Sequence, residues 1–228
     1  MTLHSEQAFL LHQYPSGETS ARLELFTQHA GRIFCTAKGL KRKPLHAAPQ
    51  SFQGLWVHYT CTSRSKYLRQ VEHTGPNFFL EGRTLWAGLY LNEILRYTLA
   101  EEDPEPALFD AYVETLQKLD QTPTVIEAAL RDFECTLLDK SGYTFSWEYE
   151  EAGNLAIEPH KQYLFSAGQG FRAVNQGIPG AHLLAFAQGE RLNPQVLASA
   201  KQVLRQAIHQ LIGGRPIRSR DFWYTLRP

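Results

Sequence analysis

The stretch GRIFCTAK, residues 31–38, alternates with a period of two: Ile33, Cys35 and Ala37 fall on one face, and Arg32, Phe34, Thr36 and Lys38 on the other. An extended strand sends successive side chains to opposite sides, so one face here is small and apolar while the other is cationic around a single ring. The same phase runs back through ETSARLELFT, where Ala21, Leu23 and Leu25 oppose Arg22, Glu24 and Phe26. Segments of this period recur at 8–14, 19–27, 32–38, 55–61 and 66–73. Turn chemistry separates them: Pro15, Ser16 and Gly17, then Gly31, then a basic stretch holding Pro44 and Pro49, then Thr62 and Ser63. Short strands at this spacing, with a long loop after the third, predict a small closed β-barrel of the OB type over residues 1–78. An SH3-like barrel satisfies the same spacing.

Beyond Gly75 and Pro76 the period becomes helical, which makes the chain α+β. Thr84 is the expected N-cap of TLWAGLYLNEILRYTLA, whose Leu85, Leu89, Leu91, Ile94, Leu95 and Leu99 form an apolar surface. The acidic EEDPEP leads to a second helix at 107–119. Thr124 and Glu127 predict a capping box for a third helix, which Gly142 ends. Asn193 and Pro194 open a last helix that stops at Gly213. An α-helical domain is therefore expected over 79–228, interrupted at about 145–190 by a small irregular insertion with strand-like pieces such as TFSWEY and QYLFSA.

The formal net charge is zero, yet the charges are sorted along the chain. Residues 22–69 carry nine cations, Arg22, Arg32, Lys38, Lys41, Arg42, Lys43, Arg64, Lys66 and Arg69, against Glu24 alone. Residues 101–151 have a net charge of −11, and the last 28 residues have +5. An anionic partner is expected on the N-terminal part. Phe34, Trp56, Tyr59 and Tyr67 lie among its cations, the mixture that follows a phosphate backbone while stacking bases. The start MTLHSEQAFLLHQYP lacks a long apolar core and a small-residue cleavage site, which predicts a cytoplasmic location.

Catalytic patterns are missing from the sequence. No Walker loop, G-x-S-x-G elbow, Cys-x-x-Cys or His-x-x-x-His occurs. GQGFRA, residues 168–173, reads as a glycine-rich turn, because the VNQGIPG after it is not expected to begin a helix that would hold phosphate. The carboxylates of 101–151 sit at helix entries or on solvated faces. No enzyme, no cofactor and no metal is expected.

The order E-T-S, L-x-L-F-T, H-x-G-R and A-K-G within QAFLLHQYPSGETSARLELFTQHAGRIFCTAKGLKRKP resembles the bacterial RecO family of recombination mediators. GLYLNEILRYTLAEEDPEPALFDAY, LRDFECTLLDKSGY and GGRPIRSRDF continue the resemblance in the family's order over nearly the whole chain. It implies an OB domain joined to a helical body. It also implies a protein, associated with the nucleoid, that binds single- and double-stranded DNA, anneals complementary strands, and helps load RecA with RecR and the single-stranded DNA-binding protein SSB; RecF is a further partner in the family. Some members hold zinc through two Cys-x-x-Cys pairs in the insertion, whereas residues 145–191 here contain no cysteine, so packing alone must hold it.

The expected DNA-binding residues are Arg22, Arg32, Phe34, Lys38, Lys41, Arg42, Lys43, Arg64, Lys66 and Arg69. Arg131 matches an arginine that the family uses to hold the acidic SSB tail, beside Asp132 where relatives are often basic; it also stands at helical spacing from Glu127 and Glu134. Arg215, Arg218 and Arg220 either extend the DNA surface or pair with the acidic region. An RNA-handling OB protein is the alternative reading.

Overall fold

A computed structural model describes residues 2–40, 48–63, 65–151 and 155–225. The chain divides into two compact units, Met1–Pro123 with Ile217–Pro228, and Thr124–Pro216.

In the first unit β1 (Leu3–Ser16), β2 (Ser20–Thr27), β3 (Gly31–Ala37), β4 (Leu55–Cys61) and β5 (Lys66–Glu72) close in the order β1-β2-β3-β5-β4. All neighbours are antiparallel except β3 and β5, and this is the OB arrangement. Ala21, Leu23, Leu25, Ile33, Cys35 and Ala37 point inward and are buried, in the phase read from the sequence. β1 is longer than its period predicts. Its first half, Leu3 to Ala8, pairs with β4 and its second half with β2, so one strand serves both sides of the barrel. The register slips between Leu10 and His12. Asn92 Nδ2 lies 3.4 Å from the carbonyl oxygens of both Leu10 and Leu11, and Tyr112 donates to Asn92 Oδ1 at 2.6 Å. A bulge leaves ladder groups unpaired, and here a buried amide from a helix supplies the missing donor.

That helix is α1 (Gly82–Thr98), and α2 (Pro106–Gln121) follows it. Thr84 is the third residue of α1 rather than its cap: Glu81 occupies the cap, and its N–H donates to Thr84 Oγ1 at 3.1 Å. Phe26 on the outward face of β2 is buried edge-on against Phe109 of α2 at 5.2 Å, so β2 is covered on both faces. The segment between the helices returns to the barrel, where the Glu102 N–H donates to the Arg32 carbonyl at 2.9 Å. Gly31, with φ +69°, lets it approach, since a Cβ there would lie 2.3 Å from the Asp103 carbonyl oxygen.

The second unit begins with α3 (Ile126–Lys140), entered through a 3₁₀ turn at Pro123–Val125. Thr124 lies inside that turn, so the expected capping box does not form. The insertion is more regular than expected: β6 (Gln162–Ser166), β7 (Gly170–Val174) and β8 (Ile178–Pro179) form a sheet in the order β7-β6-β8. TFSWEY forms no strand of this sheet and contributes an isolated bridge through Tyr149, with another at Glu150 just after it. GQGFRA runs from the turn after β6 into β7, which begins at Gly170 with φ +113°. No helix follows GQGFRA directly, but, contrary to expectation, the last residue of VNQGIPG starts one after β8: α4 (Gly180–Ala187), held by buried Leu183 and Phe186 rather than by a side-chain cap. α5 (Pro194–Leu211) starts as predicted, with Asn193 Oδ1 accepting from the Gln195 N–H at 2.9 Å. Gly213 then takes φ +65°, and the last stretch, a 3₁₀ turn at Arg218–Asp221 and α6 (Phe222–Thr225), belongs to the first unit.

Candidate nucleic-acid interface

The outward side chains of β3 divide into a part used by the fold and a part left to solvent. Arg32 belongs to the first. Its Nη1 lies 2.8 Å from Glu24 Oε1 and its Nε donates to the Leu99 carbonyl at 2.9 Å. Glu24, 2% exposed, receives Arg96 Nε and the Tyr14 hydroxyl on its other oxygen, each at 2.9 Å. Burial works against the Arg96 charge, but the hydrogen bond and charge of Glu24 outweigh it and raise the pKa of the guanidinium. A carboxylate this buried is tolerable only with such partners, and the four side chains lock β1, β2, β3 and α1 together.

Further along β3 the company changes. The exposed Arg22 guanidinium lies 4.0 Å from the centre of the Phe34 ring, with Arg32 on the same ring at 5.2 Å. Exposed Lys38 carries its ammonium 5.5 Å from the Tyr67 ring, and Tyr67 sits on β5 opposite Thr36. Arg69, also exposed, donates to Thr60 Oγ1 at 3.0 Å, and Lys66 pairs with Glu102. A strand face with cations held over half-buried rings presents charge to phosphates and π surface to bases. Lys41, Arg42, Lys43 and Arg64 lie outside the described residues.

Arg131 is placed differently. It is 3% exposed, with Nε 2.7 Å from Glu134 Oε2 and Nη2 2.7 Å from Oε1, while Glu127 stands 3.9 Å away. Arg215 is exposed after α5. Arg218 and Arg220 lie in the 3₁₀ turn, where Glu93 of α1 accepts the N–H groups of Arg218 at 2.9 Å and Ser219 at 2.8 Å. Arg220 Nη2 reaches the Tyr90 hydroxyl at 3.3 Å. The sequence singles out the arginines of this turn, whereas their partners on α1 emerge from the fold. Arg83, Trp86, Tyr90 and Glu93 recur at intervals of three and four residues, a spacing that puts them on one face of a helix, and this was the available signal.

The insertion does not suit the zinc that some relatives hold. Its centre is aromatic: Phe145 lies 4.7 Å from Phe165, Trp147 4.5 Å from Phe186, and Phe165 5.0 Å from Phe171, measured between ring centres. Among the described residues no group of three or more His, Cys, Asp or Glu is disposed to bind a metal ion. Burial pushes the Cys35 and Cys135 thiols up to about 12, so neither is a thiolate near neutral pH. No helix among the described residues is long and apolar enough to cross a membrane.

A five-stranded OB barrel with an outward cation-and-ring face, joined to helices, places the chain among OB-fold proteins of mixed α and β structure. Residues 1–76 match the family described as Recombination protein O N terminal, and residues 80–221 match Recombination protein O C terminal. DNA repair protein RecO of Legionella pneumophila strain Lens is 43% identical over 226 residues, covering 98% of this chain and 99% of that protein. The RecO proteins of Stutzerimonas stutzeri and Marinobacter nauticus are 36% and 33% identical, each over at least 97% of this chain and 94% and 96% of their own lengths. The chain belongs to the RecO family of DNA repair and recombination proteins.

Proposed function

We propose that this protein is a non-enzymatic DNA-repair mediator of the cytoplasm and nucleoid. It binds single- and double-stranded DNA on the β3–β5 side of the barrel, anneals complementary strands, and acts with RecR to load RecA onto SSB-coated DNA, with RecF as a further partner. The observation that carries the reading is the pairing of exposed cations with rings, Arg22 with Phe34 and Lys38 with Tyr67, on the outside of an OB barrel in a RecO-family chain. Phosphate attraction comes from these cations with Arg69, Arg64 and the Lys41, Arg42 and Lys43 group. Arg32 and Lys66 contribute less, being held by Glu24 and Glu102.

Recruitment by the SSB tail is assigned to the second unit, on α3. Arg131 is its family-matched residue, and docking there requires the carboxylate terminus to displace Glu134 from the guanidinium.

The test is salt-dependent binding to a labelled single strand. Changing Lys41, Arg42 and Lys43 together to Ala should flatten the log–log salt slope by about 2, at about 0.7 per phosphate contact, without altering the melting temperature. An unchanged slope removes this loop from the interface. Competition with an RNA of the same sequence addresses the alternative: RNA displacing DNA at equal or lower concentration would favour RNA handling.

A further inference from the structure

The residues of the C-terminal turn are spread along α1 in antiparallel order. The Arg218 and Ser219 N–H groups meet Glu93, Arg220 meets Tyr90, and Trp223 meets Trp86 and Arg83. From position 83 to position 93 a helix rises about 15 Å, so the contacts form a stripe rather than a point. Along it cations and rings alternate again: the Arg83 guanidinium lies 5.3 Å from the Trp223 ring, Trp223 is edge-on to Trp86 at 5.7 Å, and Arg220 is 5.2 Å from the Tyr90 ring. Arg83 and Arg218 are exposed, Trp86 and Trp223 are half-buried, and Phe222 is 45% exposed.

Packing the turn onto α1 accounts for the Glu93 contacts and for the buried Tyr90. It does not require the exposed Arg83 guanidinium near the Trp223 ring, nor the exposed side chains of Arg218 and Phe222 in the same C-terminal segment. A single nucleic-acid strand fits this chemistry, with phosphates on the arginines and bases against the rings. Glu81 and Asp221 lie on the same elements, so attraction at a distance is weaker here than on the barrel and stacking carries more of the binding.

We propose that the stripe formed by Arg83, Trp86, Trp223, Phe222 and Arg218 is a second single-strand site, separate from the barrel face. This rests on the DNA-binding reading above and deepens it. Annealing brings two strands into one complex, and a chain with two strand sites can hold both.

The experiment titrates a short oligodeoxythymidylate into the full-length protein, following tryptophan fluorescence and stoichiometry, with a stopped-flow annealing assay beside it. The wild type should bind in two steps, the second quenching tryptophan emission with a shallow salt dependence. Arg83→Gln/Arg218→Gln, and separately Phe222→Ala, should lose the second step and slow annealing about tenfold, with melting temperatures like the wild type. Two intact steps and a full annealing rate in both variants would overturn the proposal. A wild type that binds in one step rejects the second site alone, whereas one that binds no DNA at low salt rejects the reading on which it rests.

Discussion

Arg22 on the barrel and Arg131 on α3 are the same side chain in opposite company. Arg22 is exposed with its guanidinium over an aromatic ring, which leaves its charge available to an incoming anion. Arg131 is buried with its Nε–Nη2 edge turned to Glu134 and its Nη1 3.9 Å from Glu127, so carboxylates within the fold balance its charge. Arg191, in the same unit as Arg131, shows that a ring alone does not decide the matter. It lies 3.8 Å from the Phe186 ring centre but also 2.7 Å from Asp132 Oδ1. What separates Arg22 from Arg131 and Arg191 is the carboxylate in contact with each of the latter two, a feature that Arg32 on the barrel shares with them. Arg131 and Arg191 therefore serve first to build the second unit, while Arg22 keeps an exposed charge.

The sharpest break in this comparison is Arg131→Ala. It takes the guanidinium from the Glu134 carboxylate, which is 1% exposed, and should lower stability in urea by about 3–5 kcal/mol. Replacing both partners, Arg131→Met with Glu134→Leu, should restore most of that loss and so allow a clean assay with an SSB tail peptide. Peptide affinity lost in the double variant assigns the guanidinium to the tail; affinity retained removes it. A stability loss below about 1 kcal/mol for Arg131→Ala would mean that the pair is open to solvent and the contrast with Arg22 fails.

The barrel was legible where buried and half-buried residues alternate, as in β3, whose Ile33, Cys35 and Ala37 carry the period directly. The first half of β1 was not, since its residues are mostly exposed and have no hydrophobic phase. The two glycines and the proline of GIPG, residues 177–180, concealed α4, whose stability comes from Leu183 and Phe186 in the core. Among the site residues, Phe34 with Arg22 and Arg32 could be read from alternation. The diversion of Arg32 could not, because Arg96 stands 72 residues from the Glu24 that both arginines share. Helical spacing exposed the Arg131–Glu134 pairing but not its burial, as only tertiary packing closes that part of α3.

A smaller effect tests the ring on the barrel side. Phe34→Ala should weaken binding of a single strand by about 1–3 kcal/mol, the usual worth of one stacked base, with duplex binding much less affected. Folding should hold, because the ring lies on the outward face and the barrel interior is untouched. Equal losses on single strand and duplex would reduce Phe34 to a support for Arg22, leaving charge without stacking as the barrel's contribution.

Glu93 sharpens the comparison from the acid side, since its partners are backbone N–H groups and the Tyr97 hydroxyl rather than a guanidinium. Burial alone would raise its pKa, but hydrogen bonds from Ser219, Arg218 and Tyr97 outweigh burial and hold the carboxyl below its ordinary value of 4.5. A carboxylate with a lowered folded pKa stabilises fully above the ordinary value, and that contribution fades as pH falls through the lowered one. Glu93→Gln should therefore cost about 1 kcal/mol at pH 7, and the gap to wild type should close on acidification below pH 4.5. The readout is urea denaturation across that range, with Trp223 emission reporting the turn. A gap that widens towards acid would show that the turn is held by the Trp86 and Tyr90 contacts and not by this carboxylate.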